Sequence, residues 1–461
     1  MKKLAIYSIT MLVLFSSGCK KFLDVTPKGK FLPKTVAEYE LFMNDPLIAD
    51  ACYGYEEMMT DDVAYTDEGM GLLGDGRSSR SYLWAKDLFR ATEDDGEWNG
   101  LYRNIYNCNL VLQEIGTAKD GTPESVSRIT AEAKIHRAFC YFHLANLFGN
   151  DYQAATANTD LAVPLLLKPD LEAKTQRATV QEVLNQVVKD LSEALAESGL
   201  PDMGRNYVHP GKAGAYALQA RVYLFMGNYE QALKASSAAL ALKNTLLDYN
   251  TISFINPAKP YSGLKGLPTV DANPENILSR TTSLSGIITR FMISPDLLGI
   301  LGEKDLRYVY SFTRILRSAS SPVNPYPDYF GNYINYSIGV PEMMLIKAEC
   351  LARNNSKDEA IDLLNTLRQK RFKPAEYTAL TAATADEALV QVLQERRREL
   401  MYHGVRWFDL KRLNRDSRFK KDLTRSYKGT TYTLAANSSC YLLQIAPKII
   451  TINPAIIQNP R

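Results

Sequence analysis

Two segments of this chain repeat one spacing of small and large apolar residues. In GKAGAYALQARVYLFMGNYEQALKASSAALAL (211–242), Tyr216, Ala220, Tyr223, Ala232 and Ala239 follow at steps of four, three, nine and seven, and in VPEMMLIKAECLARNNSKDEAIDLLNTLRQKRF (340–372), Met344, Ala348, Leu351, Ala360 and Leu367 follow at the same steps. Steps of three and four keep residues on one face of a helix. Ala220 and Ala348, with Ala232 and Ala360, allow two paired helices to approach closely, while the larger residues lock successive pairs and Gly227-Asn228 supplies the turn. A hairpin of this kind buries its apolar face only by stacking on another, which commits the chain to a helical array.

These are the offsets of a tetratricopeptide repeat. The expected fold class is all-α in the main: a tetratricopeptide-repeat-like scaffold with helix pairs within about 97–242 and 341–414, interrupted by a long insertion of loops and short strands at about 243–340. Thr35-Val36-Ala37-Glu38 is a capping box opening a short helix to about Met43. Asp94 or Asp95 caps a long helix whose Trp98, Leu101, Ile105, Cys108, Leu112 and Ile115 recur at helical steps, and further helices are expected near 123–148, 179–198, 211–226 and 229–242. Residues 46–95 read as irregular and acidic, and the tail from about Tyr427 carries strand-like runs.

The N-terminus constrains the compartment. Lys2-Lys3, the apolar run Leu4–Phe15 and the small residues Ser16-Ser17-Gly18 make an export signal. Twelve helical residues reach only about 18 Å, short of the ~30 Å hydrocarbon core. Cys19 directly after the small residues resembles a bacterial lipobox, with Ser16 where an aliphatic residue is usual. The expected organisation is therefore a signal at 1–18, a lipidated tether at 19–33 and one domain over 34–461.

The other cysteines, Cys52, Cys108, Cys140, Cys350 and Cys440, show no CxxC or metal-like spacing, so no disulfide framework is expected, and Cys108 and Cys140, in helical patterns beside apolar residues, read as buried free thiols. A net charge of +3, reduced to +1 without the signal's two lysines, leaves no basic field for nucleic acid. Gly69 to Gly74 spells GxGxxG, but the strand and helix that a dinucleotide site needs are missing around it. His136 and His143 stand roughly 10 Å apart along one helix, too far to chelate one zinc ion. Glu56-Glu57, Asp61-Asp62 and Asp67-Glu68 lack calcium-loop spacing and read as a solvated acidic loop. In Glu395–Leu400, Arg396 falls on the apolar stripe of Leu389, Leu393 and Leu400, so a buried ion pair with Glu395, Glu399 or a distant carboxylate is expected. Gly404 ends that helix and Arg406 to Leu410 begins another.

Taken together, Cys19 followed by KKFLDVTPKG, YLWAKDLF, EWNGLYRNIYNCNLVLQEI, AEAKIHRAFCYFHLANLFGN, ALQARVYLFMGNYEQAL, EKDLRY, VPEMMLIKAECLAR, ERRRELMYHGVRWFDLKRL and INPAIIQNP resemble the SusD/RagB family of surface lipoproteins over nearly the whole chain. The resemblance implies four tetratricopeptide-like pairs, anchorage to the outer membrane through Cys19 with the protein facing outward, an oligosaccharide ligand, and a SusC-type TonB-dependent transporter as partner. It implies no enzyme activity and no cofactor or metal.

A saccharide presents apolar C–H faces and a hydroxyl rim, which suits aromatic platforms beside polar groups. Between Tyr308 and Tyr336 stand Tyr308, Tyr310, Phe312, Tyr326, Tyr329, Phe330, Tyr333 and Tyr336, where the chain's 10% aromatic content leads one to expect about three. The candidate ligand residues are Tyr65, Tyr82, Trp84, Tyr261, Tyr326, Tyr329 and Tyr333; the competing reading is that these rings fasten loops to helices. Two rival functions remain open: a tetratricopeptide adaptor of envelope assembly, and a surface glycoside hydrolase with an acid in 56–68.

Overall fold

The computed structural model describes residues 33–51, 54–283, 291–313, 315–316, 319–320, 326–327 and 333–461. Cys19, Cys52 and Tyr329 lie outside the described residues.

Helices come in chain order as α1 (Val36–Met43), α2 (Glu56–Met59), α3 (Asp67–Leu73), α4 (Arg77–Tyr82), α5 (Gly96–Glu114), α6 (Pro123–Phe148), α7 (Val180–Ala196), α8 (Lys212–Phe225), α9 (Tyr229–Leu242), α10 (Pro295–Leu301), α11 (Leu306–Ser311), α12 (Val340–Arg353), α13 (Lys357–Arg368), α14 (Ala385–Glu399), α15 (Arg406–Leu413) and α16 (Pro447–Ile452). The chemistry at their starts explains the boundaries. Thr35 and Thr179 form capping boxes with Glu38 and Glu182, and Asp95, rather than Asp94, accepts from the backbone of Glu97 and Trp98. α8 and α9 are joined through Gly227 at φ +71°, a left-handed position that glycine occupies without steric cost. Asn355 at φ +62° makes the corresponding bend between α12 and α13.

Consecutive helices pack in series, α5 on α6, α6 on α7, α7 on α8, α8 on α9, α9 on α12 and α12 on both α13 and α14. Ala220, Ala232, Ala348 and Ala360 are fully buried at these contacts, as the two matched spacings require. Arg221 on α8 donates to Glu342 on α12 at 2.9 Å, and Arg371 after α13 donates to Glu399 on α14 at 2.6 Å, so ion pairs stitch successive pairs together. Arg396 is buried and donates to Asp409 of α15 at 2.8 Å, the distant-carboxylate form of the pair its helical position predicts. Cys108, Cys140 and Cys350 are buried free thiols. His136 and His143 are core residues, the first bonded to the Val208 carbonyl at 2.8 Å.

The insertion consists of two-to-three-residue strands, the 3-10 turns at 249–251 and 260–262, and helices α10 and α11. Met292–Ile293 pairs with Val63–Ala64, and Tyr326–Pro327 lies against that strand, which carries the insertion to the N-terminal segment. Two sequence expectations need correction. Residues 46–95 hold α2, α3 and α4 instead of being irregular throughout. Glu56, Glu57 and Asp62 are fully or nearly fully buried, not solvated; only Asp67 and Glu68 are exposed. Asp62 is reached by Arg397 at 2.7 Å and Asp61 by Arg406 at 2.7 Å, partners more than 330 residues away in the chain.

Candidate ligand cleft

Beside α3 and α4 the C-terminal hairpin, β1 (Leu423–Tyr427) and β2 (Thr430–Leu434), closes a cleft of about 580 Å³. The hairpin forms because Lys428 and Gly429 both take positive φ, +47° and +77°, the two-residue turn whose twist matches paired strands. Register runs from Leu423 opposite Leu434 to Tyr427 opposite Thr430, with Arg425 opposite Tyr432. The twofold period puts Leu423, Arg425 and Tyr427 on one face with Leu434, Tyr432 and Thr430. That face meets the end of α4.

The end of α4 is unusual. The Ala85 amide donates to the Arg80 carbonyl at 2.9 Å and the Trp84 amide to the Ser81 carbonyl at 3.0 Å, a Schellman arrangement in which Trp84 fills the position normally given to glycine. Its φ is +51°. That conformation costs a residue with a Cβ roughly 1–2 kcal/mol. Local contacts offset it: the indole N–H donates to the Met59 carbonyl at 2.9 Å, and the Arg425 guanidinium lies 4.3 Å from the Trp84 ring and 3.9 Å from the Tyr82 ring. Arg425 also donates to the carbonyls of Met58 (2.9 Å), Thr60 and Tyr82. Those carbonyls end α2 and α4, so the cation sits where two short helices leave unsatisfied acceptors. Burial brings its pKa down to about 10, which leaves it charged at neutral pH.

Leu83 and Trp84 line the cleft from the end of α4, Tyr427 and Tyr432 from the hairpin, and Asp75 and Arg80 from the α3–α4 region. Gly74, at φ +57°, makes the bend between these two helices, and its carbonyl accepts from the Ser79 hydroxyl at 2.6 Å. Arg80 is anchored on all sides: Nε to the Leu88 carbonyl at 2.9 Å, Nη1 to the Asp75 carbonyl at 2.9 Å and Oδ1 at 3.3 Å, and Nη2 to Glu93 at 2.6 Å. Arg90 holds the other Asp75 oxygen. Hydrogen bonds from Arg90 and then Arg80 hold the Asp75 carboxyl below its usual range, though its side chain remains 68% exposed.

Three of the sequence candidates come together here. Tyr65 and Tyr82 meet edge to face at 4.9 Å, and the Tyr65 amide donates to the Tyr82 hydroxyl at 3.2 Å. Tyr82 and Trp84 are both buried against Arg425 and Tyr65 is half-buried; of the three, Trp84 lines the cleft. Tyr326 pairs with Thr313 and Tyr333 with Ser283 in short ladders, and Tyr261 lies in the turn Pro260–Ser262. Several rings of the aromatic run follow the packing reading: Tyr308 stacks on Phe312 at 5.8 Å, Tyr310 meets Phe254 at 5.5 Å, and Tyr336 is buried.

The family model described as "Starch-binding associating with outer membrane" matches residues 21–224, and that described as "SusD family" matches residues 334–461. The chain belongs to the SusD/RagB family. SusD-like protein P2 of Formosa agariphila is 24% identical over 88% of this chain and 90% of its own length, and SusD-like protein P38 of the same organism is 24% identical over 69% and 72%. A SusD superfamily protein of Bacteroides thetaiotaomicron superposes with a TM-score of 0.74 at 23% identity, covering 93% of this chain and all of that one. A putative sugar binding protein of Bacteroides vulgatus gives 0.71 at 19% identity over 94% and 99%. Both share the mainly helical fold.

Within this SusD-like chain, sequence reasoning missed Asp75, Arg80, Tyr427 and Tyr432. The signal for the last two was present: Tyr427 and Tyr432 flank Lys428-Gly429, a two-residue turn between alternating residues. Among the described residues no helix is long and apolar enough to cross a membrane.

Proposed function

We propose that this SusD-like protein is a lipid-anchored receptor on the outer membrane that binds oligosaccharide in the cleft and passes it to a SusC-type TonB-dependent transporter. The carrying observation is the cleft itself: Tyr427 and Tyr432 offer half-buried rings to sugar C–H faces, with the Asp75 carboxylate among the lining groups for hydroxyls. Membership of the family described as starch-binding and associating with the outer membrane supports the same reading. Cys19 is the proposed point of acylation, and two or more acyl chains make such an anchor stable.

Binding without turnover is favoured by the acids available. Glycoside hydrolysis by the common routes uses two carboxyl groups flanking the scissile bond. Asp75 is the single carboxylate lining the cleft among the described residues, and it is held by two arginines. Glu56, Glu57 and Asp62 are sealed in the interior. Calorimetric titration of residues 20–461 against a panel of oligosaccharides tests the reading. Saturable binding with no new reducing ends is the expected result; release of reducing ends, or no binding across the panel, would overturn it.

A further inference from the structure

We infer that the cleft is built for an uncharged, hydroxyl-rich sugar and selects against uronic-acid and sulfated glycans, with Asp75 as the specificity-determining acceptor. The inference rests on the proposed glycan-binding role and narrows its ligand.

An anionic sugar needs a free cationic fork, because carboxylate and sulfate are recognised by paired N–H donors. Arg80, the one cation lining the cleft among the described residues, has its donors directed to the Leu88 carbonyl, to Asp75 and to Glu93. Its side chain is only 12% exposed. Arg425 lies below the lining, turned to three carbonyls and two aromatic faces. Among the lining residues the charged group presented to solvent is instead the Asp75 carboxylate, with the Arg90 guanidinium outside the lining paired to it. Ionised carboxylate accepts and cannot donate, so it suits a ring of hydroxyl donors and offers no donor to a second anion. Arg80 holds one oxygen and Arg90, whose side chain is 60% exposed, holds the other, which fixes the orientation of the carboxylate and leaves its remaining lone pairs for ligand.

Near the rim, Lys428 lies 5.3 Å from the Tyr427 ring on the hairpin turn. Its ammonium is the group an acidic sugar would seek, so the test includes it. Asp67 accepts from the Lys428 amide, placing a second carboxylate at that end.

The experiment titrates the parent, Asp75→Asn, Tyr432→Ala and Lys428→Ala with neutral oligosaccharides and with uronic-acid and sulfated ones, following tryptophan emission and heat. Neutral sugars should bind the parent at least tenfold more tightly than anionic ones. Asp75→Asn should weaken neutral binding about tenfold or more, since hydrogen bonds to charged groups are the stronger kind, and Tyr432→Ala should also weaken it. Anionic sugars binding as tightly as neutral ones, or losing affinity in Lys428→Ala, would overturn the inference while leaving glycan binding intact. Neutral binding untouched by both Asp75→Asn and Tyr432→Ala would overturn it as well. Failure of every sugar would instead overturn the receptor reading beneath it.

Discussion

Arg425 lies 4.3 Å over the ring of Trp84 and, through its donors to Met58, Thr60 and Tyr82, ties that left-handed residue to the ends of two helices. Replacing it with methionine keeps some apolar contact and strips three carbonyls of their donor. Each buried acceptor left unpaired costs on the order of 1–3 kcal/mol, so Arg425→Met is expected to lose about 3 kcal/mol or more in urea unfolding. Trp98 and Trp407 stay buried elsewhere in the core. A red shift in native tryptophan emission should therefore accompany the loss, and unchanged emission with unchanged stability would contradict this account of Trp84.

The turn at Lys428-Gly429 gives a prediction of opposite signs. A Cβ at Gly429 meets nothing within 4 Å, so Gly429→Ala carries only the conformational cost of φ +77°, roughly 1 kcal/mol. Lys428→Asn puts a residue tolerant of the left-handed region at φ +47° and should gain a few tenths of a kcal/mol. Thermal unfolding of the two variants should move apart from the parent, and glycan affinity should fall in Gly429→Ala, because the turn sets where Tyr427 and Tyr432 stand. Equal melting temperatures in the two variants would argue against the turn geometry.

Asp409 serves two buried guanidinium groups, Arg396 at 2.8 Å and Arg412 at 2.7 Å. Removing one partner of a buried pair strands the other charge, typically at 3–5 kcal/mol. Asp409→Leu should cost about that much in denaturant, and adding Arg396→Met should recover part of it. Additive losses in the double variant would show that the pair does not act as a unit.

How much of this was legible before folding depends on how far each feature's causes extend along the chain. The matched steps around Ala220 and Ala348, the caps at Thr35 and at Asp94 or Asp95 and the buried place of Arg396 all follow from residues within a few helical turns, and the structure bears them out, with Asp95 as the second cap. Burial of Glu57 and Asp62 does not: their seals are the Gly404 amide and Arg397, which nothing local announces. α3 and α4 are seven and six residues long, too short for a period to stand out. Trp84 was legible as a candidate through its aromatic type, but its cleft was not, because the opposite wall is supplied from residues 427–433. Clefts assembled from distant segments leave their parts in the sequence and their adjacency only in the fold.

The buried acids beside α5 give a pH dependence whose sign can be worked out. Burial raises Glu56 to about 7 and Asp95 to about 6, and burial followed by the charges of Glu56 and Asp95 raises Glu97 well above the usual range. Tyr55 donates to Asp95 at 3.1 Å and the Tyr55 amide to Glu97 at 3.0 Å, while Arg77 lies 5.4 Å from the Tyr55 ring. A carboxyl whose folded pKa is raised holds its proton in the native state after the unfolded chain has released it, so its contribution to stability is complete below pH 4.5 and is lost as pH rises toward 7. The buried His136, His143 and His403 have lowered pKa values through burial and act oppositely, losing stability as pH falls below 6.5. The whole-protein profile mixes the two, and the difference between Glu56→Gln and the parent separates them. Glutamine cannot ionise, so Glu56→Gln should gain on the parent by on the order of 2–3 kcal/mol between pH 5 and pH 8, with histidine terms cancelling in the subtraction. Urea unfolding of both proteins at unit pH steps measures this difference, and a flat or falling difference would mean that Glu56 is already ionised in the folded protein at pH 5.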